Sequence, residues 1–177
     1  MALNIGGKLI PFRLKNVDGK ILSSEDLASG KKALAVIFSC NHCPYVQAWE
    51  DRMIALGKTY QARGVAFVLI NANNPKKYPE DSFPEMVKRA KAKGYPFSYL
   101  HDEDQEIARA YGATRTPEAF LFDSQGMLRY HGRIDDNYEN PQAARSHDLR
   151  EALEAVLAGR SPATAETPPV GCTIKWK

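Results

Sequence analysis

Two uninterrupted apolar runs, residues 33–38 and 65–70, constrain the fold of this chain more than any other feature. Neither run alternates with polar residues, which is typical of strands covered on both faces of a sheet. The segment between them begins at Pro44 and ends near Gly64. Its apolar residues recur every three or four positions, as in an amphipathic helix: Val46, Trp49, Met53, Leu56 and Tyr60. The order strand, helix, strand predicts a parallel pair with a right-handed crossover.

The remaining segments extend this unit into a mixed sheet. A loosely alternating strand over residues 8–15, a turn at Asp18-Gly19 and a short return through Ile21-Leu22 predict an N-terminal β-hairpin. Later segments predict helices over 83–93, 102–112 and 146–157, and strands over 97–100, 119–122 and 127–133. The predicted fold class is therefore α/β, with a central mixed β-sheet, helices on both faces and the hairpin as an extension.

Length and composition fit one domain. The chain has 177 residues, of which 44% are hydrophobic, enough for one full core and too few for two ordinary domains. We predict that residues 1–159 form this domain, including the hairpin. Residues 160–177 contain three prolines and no apolar periodicity, so we expect an irregular C-terminal tail packed on the same domain.

Charge and apolar patterning argue against several classes of function. The 24 basic and 21 acidic residues are scattered and leave a formal net charge of +3, which indicates no basic patch for nucleic acid. No stretch approaches the roughly 18 apolar residues that span a bilayer, and the N-terminal residues lack a secretion-signal pattern. Three cysteines are too few for a secreted disulfide framework. We therefore expect a cytoplasmic protein with no nucleic-acid or membrane partner; its oligomeric state is not predicted.

Two of the cysteines form the motif Cys40-Asn41-His42-Cys43, between the first apolar run and the helix. A loop this short gives little stabilisation as a structural bridge, so the spacing indicates redox catalysis, metal binding or chance. Because Pro44 begins the helix, we predict that the Cys40 thiol faces free backbone N–H groups at the positive helix end and ionises readily. Cys40 is then the nucleophile, and the more buried Cys43 is the resolving thiol.

The dithiol motif resembles the active-site sequence of the thioredoxin superfamily. The segment 38–44, Phe-Ser-Cys-Asn-His-Cys-Pro, is similar to the C-x-x-C-P pattern of that superfamily. Thr116-Pro117, before the strand 119–122, is similar to its cis-proline loop, which faces the dithiol. The resemblance implies a thioredoxin-like fold, a redox-active disulfide between Cys40 and Cys43, and a backbone at Thr116 that pairs with an extended peptide substrate. Pro117 in an ordinary trans turn is the alternative.

Other segments resemble the peroxiredoxin-like branch of the superfamily, the AhpC/TSA-like proteins; they are residues 17–20, 70–73, 115–118, 130–133 and 171–176. Peroxiredoxins have a threonine three positions before the peroxide-reactive cysteine. Here Cys43-Pro44 matches that cysteine and Cys40 replaces the threonine. Thioredoxin has a buried acid in the strand before its dithiol, whereas residues 32–39 contain none. Water or Glu118 is therefore the expected acceptor of the Cys43 proton.

We predict a thiol-disulfide oxidoreductase that exchanges the Cys40–Cys43 dithiol with protein or small-molecule disulfides and thiols, without a cofactor. A thiol peroxidase is the first alternative, and the missing threonine argues against it. The second is a non-catalytic module that binds a metal or a partner. A zinc site usually has four ligands. The remaining candidates are Cys172, His42, His131 and His147. We therefore predict no metal, and expect the last two histidines to be polar residues at the ends of elements.

Cys172 and His42 each have two interpretations. Cys172 either folds back on the dithiol as a third redox thiol or fills space beneath the tail beside Ile174 and Trp176, and the second is favoured because a free cysteine packs like a small apolar residue. His42 as an imidazolium would stabilise the Cys40 thiolate and make the disulfide more oxidising. Its alternative is a solvated loop residue without a catalytic role.

Overall fold

The computed structural model describes residues 3–177, and a seven-stranded mixed sheet lies at its centre. The strands, in spatial order, are β2 (Ile21–Ser23), β1 (Arg13–Asn16), β5 (Ser98–His101), β4 (Val65–Asn71), β3 (Ala33–Ser39), β7 (Glu118–Asp123) and β8 (Leu128–Gly132). Two short strands, β6 (Arg115–Thr116) and β9 (Cys172–Thr173), form a separate antiparallel pair. The helices are α1 (Ser24–Ala28), α2 (Pro44–Gln61), α3 (Phe83–Lys93), α4 (Glu106–Tyr111) and α5 (Asp148–Leu157).

The unit β3-α2-β4 has the predicted geometry. β3 and β4 pair in parallel, from Ala33 opposite Val65 to Ser39 opposite Asn71. Every residue of both strands is buried, which explains why neither run alternates. β7 pairs with the other edge of β3 in the antiparallel direction, so the sheet is mixed. This is the thioredoxin-like arrangement that the sequence predicts.

The sheet separates two apolar cores, and helices cover both faces. The first core contains residues of α2, α3 and α5, among them Trp49, Met86 and Leu153, and it also includes Cys40 and Cys43. The second core contains residues of α4, with α1 packed against it: Ala108, Tyr111 and Leu27. The dithiol therefore belongs to one face of the sheet.

The hairpin is shorter than predicted, because its first part has another partner. Lys8 bridges to Met127, and the Leu9 N–H donates to the Gly126 carbonyl at 2.7 Å. These contacts attach residues 8–9 to the turn between β7 and β8. The pairing of β1 with β2 begins only at Arg13.

The prediction of a wholly irregular tail is wrong. β9 pairs with β6, and the Thr167 N–H donates to the His131 carbonyl at 3.0 Å. Ile174 is buried in the second core. These partners lie far away in sequence, so no local periodicity indicates them. Among residues 3–177, no helix has the length and apolar character needed to cross a membrane.

Candidate functional site

Cys40 and Cys43 lie at the junction between β3 and α2. Cys40 directly follows β3, while Cys43 occupies the N-cap of α2 and Pro44 is its first residue. Both cysteines are unbridged, and both residues are 0% exposed. An N-cap side chain faces the N–H groups of the second and third helical residues. Cys43 therefore occupies the N-cap at the positive helix end, although its side chain makes no capping hydrogen bond, whereas the sequence predicts Cys40 at this position.

The two thiols have pKa values shifted in opposite directions. The interaction between the two thiols is the largest influence, and it lowers the pKa of Cys43 while raising the pKa of Cys40. Burial raises both pKa values, but at Cys43 the Cys172 thiol and the Val46 N–H reinforce the decrease. At Cys40 the Asp81 carboxylate reinforces the increase. These opposite directions favour Cys43 as the more acidic thiol of the reduced pair, whereas the sequence predicts Cys40.

The carboxylate of Asp81 holds the loop between the cysteines. Asp81 ends a single 3-10 turn, Pro79–Asp81, and is 0% exposed. It accepts hydrogen bonds from the backbone N–H groups of Asn41 at 2.7 Å and His42 at 3.3 Å. The Asn73 side-chain amide donates to it at 2.9 Å, and the His42 ring nitrogen Nδ1 also contacts it. These contacts fix the dithiol loop to the loop that follows β4.

Sequence reasoning missed Asp81, because it belongs to a polar loop without periodicity. A signal was nevertheless available. The carboxyl ends of parallel strands meet at one edge of a sheet, and side chains that follow such strands gather there. Since β3 and β4 are parallel, the loop after β4 lies beside Cys40.

His42 lies close to Cys40, but its ring is engaged by other residues. Its ring stacks on Tyr78 at 5.2 Å between ring centroids and bonds to Asp81. Positive charge on His42 would thus be paired with the Asp81 carboxylate, whose own effect is to raise the pKa of Cys40. The arrangement supports a positioning role for His42, and it does not support the predicted stabilisation of a Cys40 thiolate.

Thr116 and Pro117 lie against the dithiol. The bond between them is cis, the geometry that the resemblance implies. The Thr116 hydroxyl lies 3.6 Å from the Cys40 sulfur. The Thr116 carbonyl oxygen lies 3.4 Å from the Cys43 sulfur and accepts its proton in a hydrogen bond when that thiol is neutral. The fold thus brings together the two motifs that are separated in sequence.

The backbone edge at Thr116 is not free, contrary to the prediction. In the pair formed by β6 and β9, Thr116 lies opposite Cys172. Cys172 packs on the first core, which contains the dithiol, whereas Ile174 and Trp176 pack on the second. The favoured interpretation of Cys172, a space-filling residue beside those two side chains, is therefore wrong. Burial raises the pKa of the Cys172 thiol to about 11, and the neighbouring Cys43 thiol contributes to the increase.

Glu118 does not have the geometry expected of a proton acceptor for Cys43. It accepts hydrogen bonds from the Thr114 and Arg115 backbone N–H groups, both at 3.3 Å, and bonds to His131 at 3.2 Å. Side chains alternate along β7, and Ala119 belongs to the first core. Glu118 therefore points to the opposite side of the sheet from the dithiol.

One possible metal-ligand group occurs within residues 3–177. One atom each from Cys40, His42 and Asp81 lies within 4.8 Å of the others. Structural zinc sites use four ligands. His131 is engaged by two carboxylates, and His147 precedes α5. The proposed ligands Cys172, His131 and His147 thus do not join His42 in one cluster.

Comparisons with known proteins agree with this fold. The AhpC/TSA family matches residues 5–131. A thiol:disulfide interchange protein DsbE of Yersinia pestis is 30% identical over 135 residues, and the match covers 74% of this chain and 65% of that protein. The chain thus spans about two thirds of that relative's length.

Two solved structures match almost the whole chain. An uncharacterized conserved protein from Geobacillus kaustophilus has 41% identity and a TM-score of 0.93, with 99% of this chain and 93% of that chain covered. A hypothetical protein from Sinorhizobium meliloti 1021 has 35% identity and a TM-score of 0.93, with coverage of 100% and 97%. Because the family match also covers most of the sequence, this chain belongs to the AhpC/TSA family of thioredoxin-like thiol oxidoreductases.

Proposed function

We propose that the protein is a thiol-disulfide oxidoreductase in which Cys43 is the nucleophile and Cys40 the resolving thiol. The observation that carries this proposal is the placement of two unbridged thiols at the start of α2, both against the Thr116 backbone and hydroxyl of the cis-proline loop. The pKa values of the two thiols are shifted in opposite directions. A thiolate attacks disulfides, whereas a neutral thiol does not. The Cys43 position at the start of α2 supports a thiolate there.

The exchange has two steps. The Cys43 thiolate attacks one sulfur of a partner disulfide, and the other partner sulfur leaves as a thiolate that takes up a proton. Cys40 then loses its proton and attacks the Cys43 sulfur, which forms the Cys40–Cys43 disulfide and releases the second partner thiol. The protein dithiol is oxidised by two electrons while the partner disulfide is reduced to two thiols, and the reverse direction oxidises a partner dithiol.

The neighbouring residues separate the roles of the two sulfurs. Asp81 fixes the loop and disfavours charge on Cys40, so Cys40 stays protonated while Cys43 reacts. The Thr116 hydroxyl contacts Cys40 on its other side. Disulfides and thiols of cytoplasmic proteins or small molecules are the partners of this proposal.

Reduction of a small disulfide, with dithiothreitol as the electron source, tests the proposal. We expect Cys43→Ser to lower the rate by about two orders of magnitude or more. Cys40→Ser combined with Cys172→Ser should still form a mixed disulfide at Cys43 and should accumulate it, because no second thiol remains to resolve it. Ser39→Ala is the matched control, because among the described residues its buried hydroxyl has no hydrogen-bond partner. Full activity of Cys43→Ser would reject the proposal.

A second candidate, thiol peroxidase, is favoured by the same Cys43 position. This cysteine matches the peroxide-reactive one of peroxiredoxins and lies at a helix start with a lowered pKa. Its thiolate would attack one peroxide oxygen and break the O–O bond, so that the sulfur becomes a sulfenic acid while the other oxygen takes up a proton and leaves as water or an alcohol. Cys40 would then form the disulfide and release water. Peroxide consumption by the reduced protein separates the two activities, because disulfide exchange alone consumes none.

A further inference from the structure

The tail occupies the position where the sequence predicts an external substrate strand. β9 pairs with β6 in the antiparallel direction, and this pairing places Cys172 opposite Thr116. The Gly171 carbonyl also lies 3.4 Å from the Arg115 guanidinium. The chain thus presents one of its own cysteines at the edge beside the dithiol.

The tail is anchored on both sides of Cys172. On the N-terminal side, the Thr167 hydroxyl bonds to the Tyr130 hydroxyl at 2.7 Å, and Thr167 is buried. On the C-terminal side, the Ile174 N–H donates to the Thr114 carbonyl at 2.9 Å, and Ile174 is 3% exposed. The contacts of Thr167 and Ile174 therefore hold Cys172 in place beside the dithiol.

The Thr116 carbonyl oxygen lies close both to the backbone beside Cys172 and to the Cys43 sulfur. A Cβ atom at Gly171 would lie 2.1 Å from the Thr116 carbonyl oxygen, so only glycine fits this close approach. The same oxygen lies 3.4 Å from the Cys43 sulfur. Cys172 packs on the core that contains Cys43, and it is partly exposed whereas Cys43 is fully buried.

We propose that Cys172 is a third redox thiol, which exchanges with Cys43 so that the disulfide moves between the Cys40–Cys43 and Cys43–Cys172 pairs. This inference rests on the proposed function. The Cys172 thiolate attacks the Cys43 sulfur of the Cys40–Cys43 disulfide; a new S–S bond forms and the old one breaks. Cys40 leaves as a thiolate and takes up the proton that Cys172 has lost, so the protein is neither oxidised nor reduced.

The exchange gives the disulfide access to solvent. Cys40 and Cys43 are both fully buried in the reduced protein, so an external thiol reaches their sulfurs less readily than that of the partly exposed Cys172. In the Cys43–Cys172 disulfide one sulfur belongs to a partly exposed residue. An external thiol that attacks Cys172 completes the transfer of electrons between the buried pair and its partner.

Peptide mapping of the full-length protein after oxidation with oxidised glutathione tests the inference. Cleavage after Lys and Arg leaves Cys40 and Cys43 together on residues 33–52 and Cys172 on residues 161–175. A Cys40–Cys43 disulfide therefore makes one peptide lighter by two hydrogens, whereas a Cys43–Cys172 disulfide joins two peptides. After an acid quench and alkylation, we expect both products from the unmodified protein.

The variants sharpen the result. Cys40→Ser should give only the joined peptides, and Cys43→Ser should give none. Cys172→Ser should remove the joined product and slow reduction of the oxidised protein by glutathione by at least about fivefold. Thr173→Ser, at an exposed neighbouring position, should resemble the unmodified protein. Formation of the Cys40–Cys43 disulfide alone, with Cys172 fully alkylated even in Cys40→Ser, would overturn the inference. Absence of both disulfides would overturn the proposed function as well.

Discussion

The loop that carries Cys40 and Cys43 and the tail that carries Cys172 are held by different kinds of interaction. The loop depends on one buried carboxylate, Asp81, which accepts hydrogen bonds from both residues between the cysteines. The tail depends on backbone pairing between β6 and β9, on the close approach of Gly171 and on burial of Ile174. The two regions meet at Thr116.

This difference means that the two regions respond first to different changes. A change at Asp81 acts first on the loop and the Cys40 thiol, and it reaches the tail through Asn73, which donates to Asp81 and accepts from the Lys175 N–H. A change at Gly171 acts first on the β6–β9 pairing.

Asp81→Ala should give the largest loss of stability, because it removes the carboxylate that holds the dithiol loop. It leaves buried donors of Asn41 and Asn73 unpaired, and each unpaired group costs about 1–3 kcal/mol. We expect a total loss of about 3–5 kcal/mol in the free energy of unfolding, measured by chemical denaturation. Glu80→Ala is the matched control, because that neighbouring side chain is exposed. Equal stability of the two variants would show that Asp81 does not hold the loop.

Gly171→Ala should give a smaller loss of stability and should disrupt the packing of the tail against Thr116. The added Cβ would lie 2.1 Å from the Thr116 carbonyl oxygen, a backbone atom, so the tail must shift. We expect a loss of about 1–3 kcal/mol in the free energy of unfolding. Alkylation of Cys172 should be about tenfold faster, because the displaced tail no longer holds its thiol against the first core. Mass spectrometry of a time course measures this rate. Thr173→Ala, on the same strand, should leave the rate unchanged. An unchanged rate in Gly171→Ala would argue against tight docking of the tail.

Removal of the contacts of His131 with Glu118 and Glu166 should give the smallest effect on stability. It also tests how the tail is held, because Glu166 belongs to the tail. Burial lowers the pKa of His131, but the hydrogen bonds to the two carboxylates outweigh it and raise the pKa. The stabilisation is therefore complete below the unfolded-state pKa of about 6.5 and is lost as pH rises through the folded-state pKa.

Unfolding free energies of the unmodified protein and of His131→Gln, compared between about pH 5.5 and pH 8.5, measure this effect. The difference between the two proteins should shrink as pH rises. A difference that grows with pH would contradict the assigned direction of the pKa shift.

The parts predicted from the sequence are those with local signals. The runs that became β3 and β4 and the helix between them follow from apolar periodicity, and Pro44 marks the start of α2. The position of Cys43 at the N-cap of α2 could also have been predicted from the sequence. Proline at the first helical position places the N-cap at Cys43, whose side chain then faces the helix N–H groups.

The parts that were missed depend on contacts that are distant in sequence. Asp81 belongs to a three-residue turn, and its partners Asn41 and His42 follow a different strand. Cys172 belongs to a two-residue strand that is preceded by prolines and is too short to show alternation. Neither residue has a periodic neighbourhood, so only the fold shows that both lie beside the dithiol.

The ionisation of each thiol in the reduced protein tests the central claim most directly. With only three cysteines in the chain, 13Cβ labelling of cysteine and Cys→Ser variants allow each NMR signal to be assigned and followed with pH. The account predicts that Cys43 is a thiolate at neutral pH and that Cys40 stays protonated beyond the ordinary thiol pKa of about 8.5. A titration in which Cys40 ionises first and Cys43 stays protonated would contradict the assignment of Cys43 as the nucleophile.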